Sequence, residues 1–174
     1  MYTIVDIGCG HGDILRLIAE YGRKHNYSFQ LIGIDANQDA IDYAVELSTA
    51  YDELSFKKLD VFSEAFQAME YDVVLSTLFL HHLDGMEIRS LLKLMSTKAK
   101  LGVVVNDLHR HRLAYGLFKL LGTVISNHMI VQDGLTSILR AFKRKEIEQI
   151  SDQLNLNSQI SWKWAFRYQW LIKP

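Results

Sequence analysis

Apolar residues recur along the chain with two periods, and the alternation between those periods orders the elements. "YTIVDIG" (2–8) predicts a short strand, and from Asp13 the residues Ile14, Leu15, Leu17, Ile18 and Tyr21 are expected on one helical face. "FQLIGIDA" (29–36) repeats the strand signal, and Asn37 is placed to cap a helix that turns Ile41, Ala44, Val45 and Ser48 inward. "LSFKKLDV" (54–61) predicts a third strand. "YDVVLSTLFL" (71–80) predicts a fourth, nearly continuous in apolar residues as a strand covered on both faces should be. Asp84 and Glu87 form a capping-box pattern ahead of a helix with the stripe Ile88, Leu91, Leu92 and Met95, and "KLGVVVNDL" (100–108) follows as the fifth strand. A helix is expected near Arg144–Leu154, and "ISWKWAFRYQWLI" (160–172) reads as two strands close enough to pair as a hairpin. Together these predict an α/β fold, a doubly wound, mostly parallel seven-stranded sheet with a C-terminal antiparallel hairpin.

The most apolar stretch, Leu113 to Val131, is interrupted by Lys119, Asn127 and His128, so it reads as a buried or substrate-covering helix and not as a membrane span. With 174 residues, no repeat, no linker and Pro174 as the only proline, the chain is expected to form one domain over 1–174. The single cysteine, Cys9, and the lack of a signal-peptide pattern suggest a cytoplasmic protein. A net charge of −1 argues against a nucleic-acid partner, whose phosphates call for clustered Lys and Arg.

Chemistry concentrates just after the strands, where a doubly wound sheet binds its ligands. "VDIGCGHGD" (5–13) sets Gly8, Gly10 and Gly12 between a strand and a helix, and glycine at that density implies a sharp turn or a ligand close to the main chain. Asp35, ending the second strand, is placed to accept both hydroxyls of a ribose. Asp60 could accept from an adenine amino group while the Val61 amide donates to the ring. The spacing G-x-G-x-G brings the third glycine one residue earlier than the dinucleotide pattern G-x-G-x-x-G, which argues against an NAD-type oxidoreductase.

The four stretches "VDIGCGHGD", "GIDAN", "LDVF" and "YDVVLSTLFLHHL" resemble, in order, the motifs of the class I S-adenosylmethionine-dependent methyltransferases, and the resemblance runs over nearly the whole chain. It implies S-adenosyl-L-methionine as cofactor, the Gly8–Gly12 loop against its methionine part, Asp35 on the ribose, and Asp60 with Val61 at the adenine. Asp6, Cys9, Ala36 and Ser76 complete the implied cofactor set. Members usually carry a helix before the first motif, whereas here the first strand begins near Tyr2, so the chain is expected to lack that N-terminal helix, as a truncated product would. "NDLHRHRLAY" and "QDGLTSILRAF" are similar to bacterial small-molecule methyltransferases, some associated with phenolic-lipid or polyketide products, which makes Tyr115, Asp133 and Arg140 candidates for the acceptor pocket.

Cys9 reads as a small residue filling a tight turn, because nothing near it in sequence would activate a thiol. His81 and His82 follow the fourth strand where an acceptor would enter, one facing the pocket and the other packing. His109 and His111 suit a base for a phenol or enol and equally suit the surface of a helix start. No metal is expected, since Ser76 and Thr77 stand where metal-dependent catechol-type enzymes carry an acid. "STLF" (76–79) in place of an Asp/Asn-Pro-Pro-Tyr/Phe motif disfavours a base methyltransferase. The expected activity is methylation of a small, partly apolar molecule, at oxygen ahead of carbon, with a cofactor-binding domain lacking turnover as the alternative.

Overall fold

The computed structural model describes residues 1–125 and 127–174. Strand β1 (Tyr2–Ile7) leads through the glycine turn into helix α1 (Asp13–His25), and β2 (Phe29–Asp35) leads into α2 (Gln38–Leu47). Then come β3 (Leu54–Lys58), a short α3 (Glu64–Gln67), β4 (Val73–Thr77), a 3₁₀ turn (Leu80–His82) and α4 (Gly85–Lys98). The chain continues with β5 (Gly102–Leu108), α5 (Arg112–Leu121), α6 (His128–Arg140), α7 (Arg144–Gln153), β6 (Asn157–Lys163) and β7 (Arg167–Lys173). The seven strands lie in the order β3-β2-β1-β4-β5-β7-β6. β1 to β5 are parallel, while β7 runs antiparallel to both β5 and β6. The order reverses between β1 and β4, and there the carboxyl ends of the central strands open a crevice.

The caps expected from the sequence form. Asn37 accepts from the Asp39 amide at 2.9 Å, and Asp84 and Glu87 close a reciprocal capping box on α4. The α4 stripe Ile88, Leu91, Leu92 and Met95 is buried, joining the core that Val5, Ile7, Val74, Val103, Val105 and Trp170 build on one face of the sheet. A smaller cluster, Ile4, Leu15, Ala19 and Leu31, seats α1 on the sheet.

Three expectations are corrected. In α1 the buried stripe is Leu15, Ala19 and Gly22, while Ile14, Leu17 and Tyr21 face solvent. The small residues decide this: a Cβ at Gly22 would lie 2.6 Å from the Phe29 ring, so the helix rests on its least bulky face. In α2, Ile41, Ala44 and Ser48 turn inward but Val45 is exposed. The Leu113–Val131 stretch, whose Ser126 lies outside the described residues, is not one buried helix. α5 ends at Leu121, and a new start is imposed by Asn127, whose side chain accepts from the Met129 and Ile130 amides. Leu113, Leu117, Leu120, Leu121, Met129 and Ile130 are all exposed.

Candidate functional site

The glycine turn is built by left-handed backbone at Gly8, Gly10 and Gly12, with φ of 65°, 51° and 77°. Gly8 is also crowded, because a side chain there would run into the Phe79 ring. The Cys9 amide donates to the Ile34 carbonyl at 3.0 Å, and the Gly12 amide returns to the Cys9 carbonyl at 2.9 Å, which closes the turn.

Asp35 ties this turn to the next one. Its carboxylate accepts from the Gly10 amide at 3.1 Å with one oxygen and from the Asn37 amide at 2.9 Å with the other. Each oxygen keeps a lone pair, so the group could still receive hydroxyls. Asp60 accepts from the Phe62 amide at 2.9 Å through Oδ1. Gly8, Asp35, Ala36, Asp60, Val61 and Phe79 line a hollow of about 280 Å³.

Buried side-chain atoms at the strand ends lack a partner: Asp6 Oδ1 on β1 and Asn106 Oδ1 on β5, which the strand register sets on one face of the sheet, and Ser76 Oγ on β4, which it sets on the other. Buried polar atoms are rarely left so in a finished core, and Asp6, close enough to feel the Asp35 charge, suits a polar ligand there. Burial first, then the Asp35 carboxylate, push the Asp6 carboxyl up to about 7. The Cys9 thiol is pushed up to about 12 by burial and by Asp6 and Asp35, so it stays protonated. Its sulfur fills the space under Gly33.

The far end of the sheet edge carries the histidines. His81 is buried, its Nδ1 lying 2.7 Å from Asp107 Oδ1, and its ring packs on that of His82 with centroids 4.1 Å apart. His82 is exposed, and burial of part of its ring with His81 nearby lowers its pKa; Asp133 raises and Arg140 lowers it. Thus the charges of the two α6 residues named from sequence are both felt at His82. His109 packs at a tilt against Tyr168, with ring centroids 4.7 Å apart, and against His111 at 5.1 Å, and its Nδ1 is buried without a partner. Desolvation, then His111, lower its pKa. His111 itself caps α5, its Nδ1 accepting from the Leu113 amide at 3.1 Å, and its ring stacks on Phe166 at 5.3 Å.

His109 sits in the wall of an open apolar cavity of about 670 Å³, lined also by Leu108, Ala114, Phe118, Ile138 and Phe166. Tyr115 lines a separate hollow of about 340 Å³, with Arg110, His111, Arg112 and Lys143.

Residues 4–102 match the sequence profile described as "Methyltransferase domain". The chain belongs to that family. The protein-lysine N-methyltransferase EFM4 of Saccharomyces cerevisiae is 31% identical over 144 residues, which cover 79% of this chain and 56% of that protein. The chain therefore spans about half the length of that relative. Among solved structures, the plantazolicin methyltransferase BpumL in complex with SAH superposes with a TM-score of 0.73 at 19% identity, covering 99% of this chain and 76% of that one. Magnesium protoporphyrin IX methyltransferase from Synechocystis PCC 6803, with bound SAH, gives a TM-score of 0.65 at 16% identity, covering 99% and 74%. Both share this fold.

Within this member of the family, Gly8, Asp35, Ala36, Asp60 and Val61 come together around one hollow, with Gly10 tied to it through Asp35 and Asp6 close enough to feel the Asp35 charge, whereas Gly12 and Ser76 do not line it. His81 and His82 stand together, whereas His109 and Tyr115 line different hollows. Sequence reasoning gave no role to Phe79, Asn106, Asp107 or Phe166. Position was the signal for three of them: Phe79, Asn106 and Asp107 fall in the segments 76–82 and 106–111, at the strand ends where a doubly wound sheet binds its ligands. Among the described residues no group of three or more His, Cys, Asp or Glu side chains is arranged to hold a metal ion.

Proposed function

We propose that the chain moves the methyl group of S-adenosyl-L-methionine to a small, partly apolar acceptor, with an oxygen acceptor ahead of carbon. The observation that carries this reading is the pairing of two unlike spaces at the carboxyl edge of one sheet: the hollow at Gly8, Asp35 and Asp60, and the apolar cavity at His109. The residues fit the cofactor. Asp35 offers lone pairs to a ribose, Asp60 and the Val61 amide, on the same hollow, suit an adenine edge, and the unpartnered Asp6 oxygen suits an ammonium group.

S-adenosyl-L-methionine brings a methyl group already activated by its sulfonium. What remains for the protein is orientation of the acceptor and exclusion of water. Apolar walls of Leu108, Ala114, Phe118, Ile138 and Phe166 supply the second. His109, kept neutral by its desolvated position, is the residue for taking the proton of a phenol-like hydroxyl. His111 holds the start of α5 and supports Phe166, and is assigned positioning work.

A lysine acceptor, the one named for the yeast relative, suits this chain less well. Residues 108–174 carry ten Lys and Arg against four Asp and Glu, a field that opposes an incoming ammonium. The test is mass spectrometry of reactions containing the protein, labelled S-adenosylmethionine and a panel of phenols. Label on a phenolic oxygen is the expected result. Tighter binding of NADH than of S-adenosylhomocysteine, binding without transfer to any panel member, or label found only on protein lysine would each overturn the proposal.

A further inference from the structure

The apolar cavity has an unusual rim. Leu117, Leu120, Leu121 and Val124 belong to its wall and yet are more than half exposed, and Leu113 extends the same face of α5 outward. Opposite them lies the turn of the β6–β7 hairpin, whose Ala165 and Phe166 also line the cavity. Beside that turn Trp162 packs edge-on to Phe166, with centroids 6.3 Å apart, and Trp164 is 87% exposed. A leucine-faced helix and a tryptophan-tipped hairpin therefore form the two lips of one opening. Exposed apolar surface on this scale is costly in water and marks a surface that is covered in use.

Charge says by what. No Asp or Glu occurs from Leu108 to Gln132 or from Gln153 to Pro174, the two stretches that supply both lips. The cations there are Arg110, which pairs with Glu146, Arg112 and Lys119 on α5, and Lys163, Arg167 and Lys173 on the hairpin. Residues 1–107, by contrast, carry sixteen Asp and Glu against nine Lys and Arg, so the molecule is strongly polarised despite its net charge of −1. Arg112 and Lys143 also line the hollow of about 340 Å³, which shares Ile138 with the apolar cavity. An apolar recess and a cationic one stand side by side.

We propose that this face docks on an anionic phospholipid surface, with α5 lying in the headgroup layer and Trp162 and Trp164 inserting beside it. Tryptophan is suited to that layer because its ring is apolar and its N–H is wet, and a short helix with one apolar face and flanking cations binds there without crossing. No helix among the described residues is long and apolar enough to cross a membrane. Acyl chains would seal the half-exposed lip of the cavity, and an apolar acceptor could pass from lipid to His109 without entering water. The proposal takes its purpose from the acceptor-cavity reading, but vesicle binding needs no methyl transfer, so either can fail alone.

The experiment mixes the whole chain with vesicles of phosphatidylcholine, or of phosphatidylcholine and phosphatidylglycerol in equal parts, and reads co-sedimentation and tryptophan emission. Binding to the anionic vesicles, weakened by salt and accompanied by a blue shift that Trp164→Phe diminishes, is expected. Lys119→Glu and Lys163→Glu should each lower the partition by at least roughly fivefold, the effect of one cation near such a surface. Leu113→Glu should lower it too. Affinity for S-adenosylhomocysteine should be unchanged in all four variants, which shows that they fold. Absence of binding, equal binding to neutral vesicles, lipid-free self-association abolished by Leu113→Glu, or binding to an acidic carrier protein but to no vesicle would each overturn the proposal.

Discussion

His81 Nδ1 lies 2.7 Å from Asp107 Oδ1, and both side chains are 3% exposed. The two residues belong to segments 26 positions apart, one in the 3₁₀ turn after β4 and the other in β5. Asp107 further accepts from the His81 amide at 3.3 Å and from the Leu108 amide at 2.7 Å. One buried carboxylate thereby ties the turn that carries His82 to the strand that leads to His109. Asp107→Asn should cost about 1.5 to 3 kcal/mol, the scale of a buried hydrogen bond to a charged group, read by urea denaturation. Because neither residue lines the Asp35 hollow, methyl transfer should fall further than affinity for S-adenosylhomocysteine.

Asp35 joins two turns as well as facing the hollow. Asp35→Ala removes the acceptor for both the Gly10 and the Asn37 amides. Calorimetry should show affinity for S-adenosylhomocysteine weakened by about 1 to 3 kcal/mol, while the fold survives. Binding equal to that of the parent would leave Asp35 a purely local tie.

Asp6 predicts a pH effect whose sign follows from its environment. Burial and the neighbouring Asp35 raise its carboxyl to about 7, so the folded chain holds this proton more tightly than the unfolded chain does. Its contribution to stability is complete below about pH 4 and is lost as the pH rises towards 7. Asp6→Asn should match the parent near pH 4 and melt higher than it at about pH 8. An ammonium group favours the ionised form, so affinity for S-adenosylhomocysteine should rise with pH up to about 7 in the parent, and the variant should bind more weakly without that rise.

His109 titrates below the ordinary histidine value because desolvation and then His111 disfavour its charged form. Methyl transfer to a phenol should therefore hold at neutral pH and decline only as the pH drops through a value below 6.5. His109→Gln should slow transfer by roughly a hundredfold or more with S-adenosylhomocysteine affinity unchanged, as measured by single-turnover kinetics.

Much of the hollow at Gly8, Asp35 and Asp60 is local in origin. Gly8, Gly10 and Gly12, then Asp35, then Asp60 each follow a strand within a few residues, and each strand is announced by its own apolar run. Once the strands are parallel and adjacent, their ends meet without further instruction. The α4 helix was legible for the same reason, since its cap and its stripe lie within one segment. The α1 face was not. Ile14, Leu17 and Tyr21 are as apolar as a core stripe, and only the Phe29 ring beneath Gly22 decides which side touches the sheet.

The sequence by itself determined the order of the strands along the chain, the glycine turn and the acids near the strand ends, because these depend on backbone freedom and on periodicity over a few residues. Only the tertiary structure decided which histidine does what. His81 finds Asp107 across a strand boundary, His111 spends its Nδ1 on the Leu113 amide, and His109 is left with a buried, unpartnered nitrogen. It also divided the Leu113–Val131 stretch into two helices with an exposed leucine face, which hydropathy alone assigns to the interior. A side chain's burial and protonation are set by neighbours distant in the chain, and no local pattern carries that information.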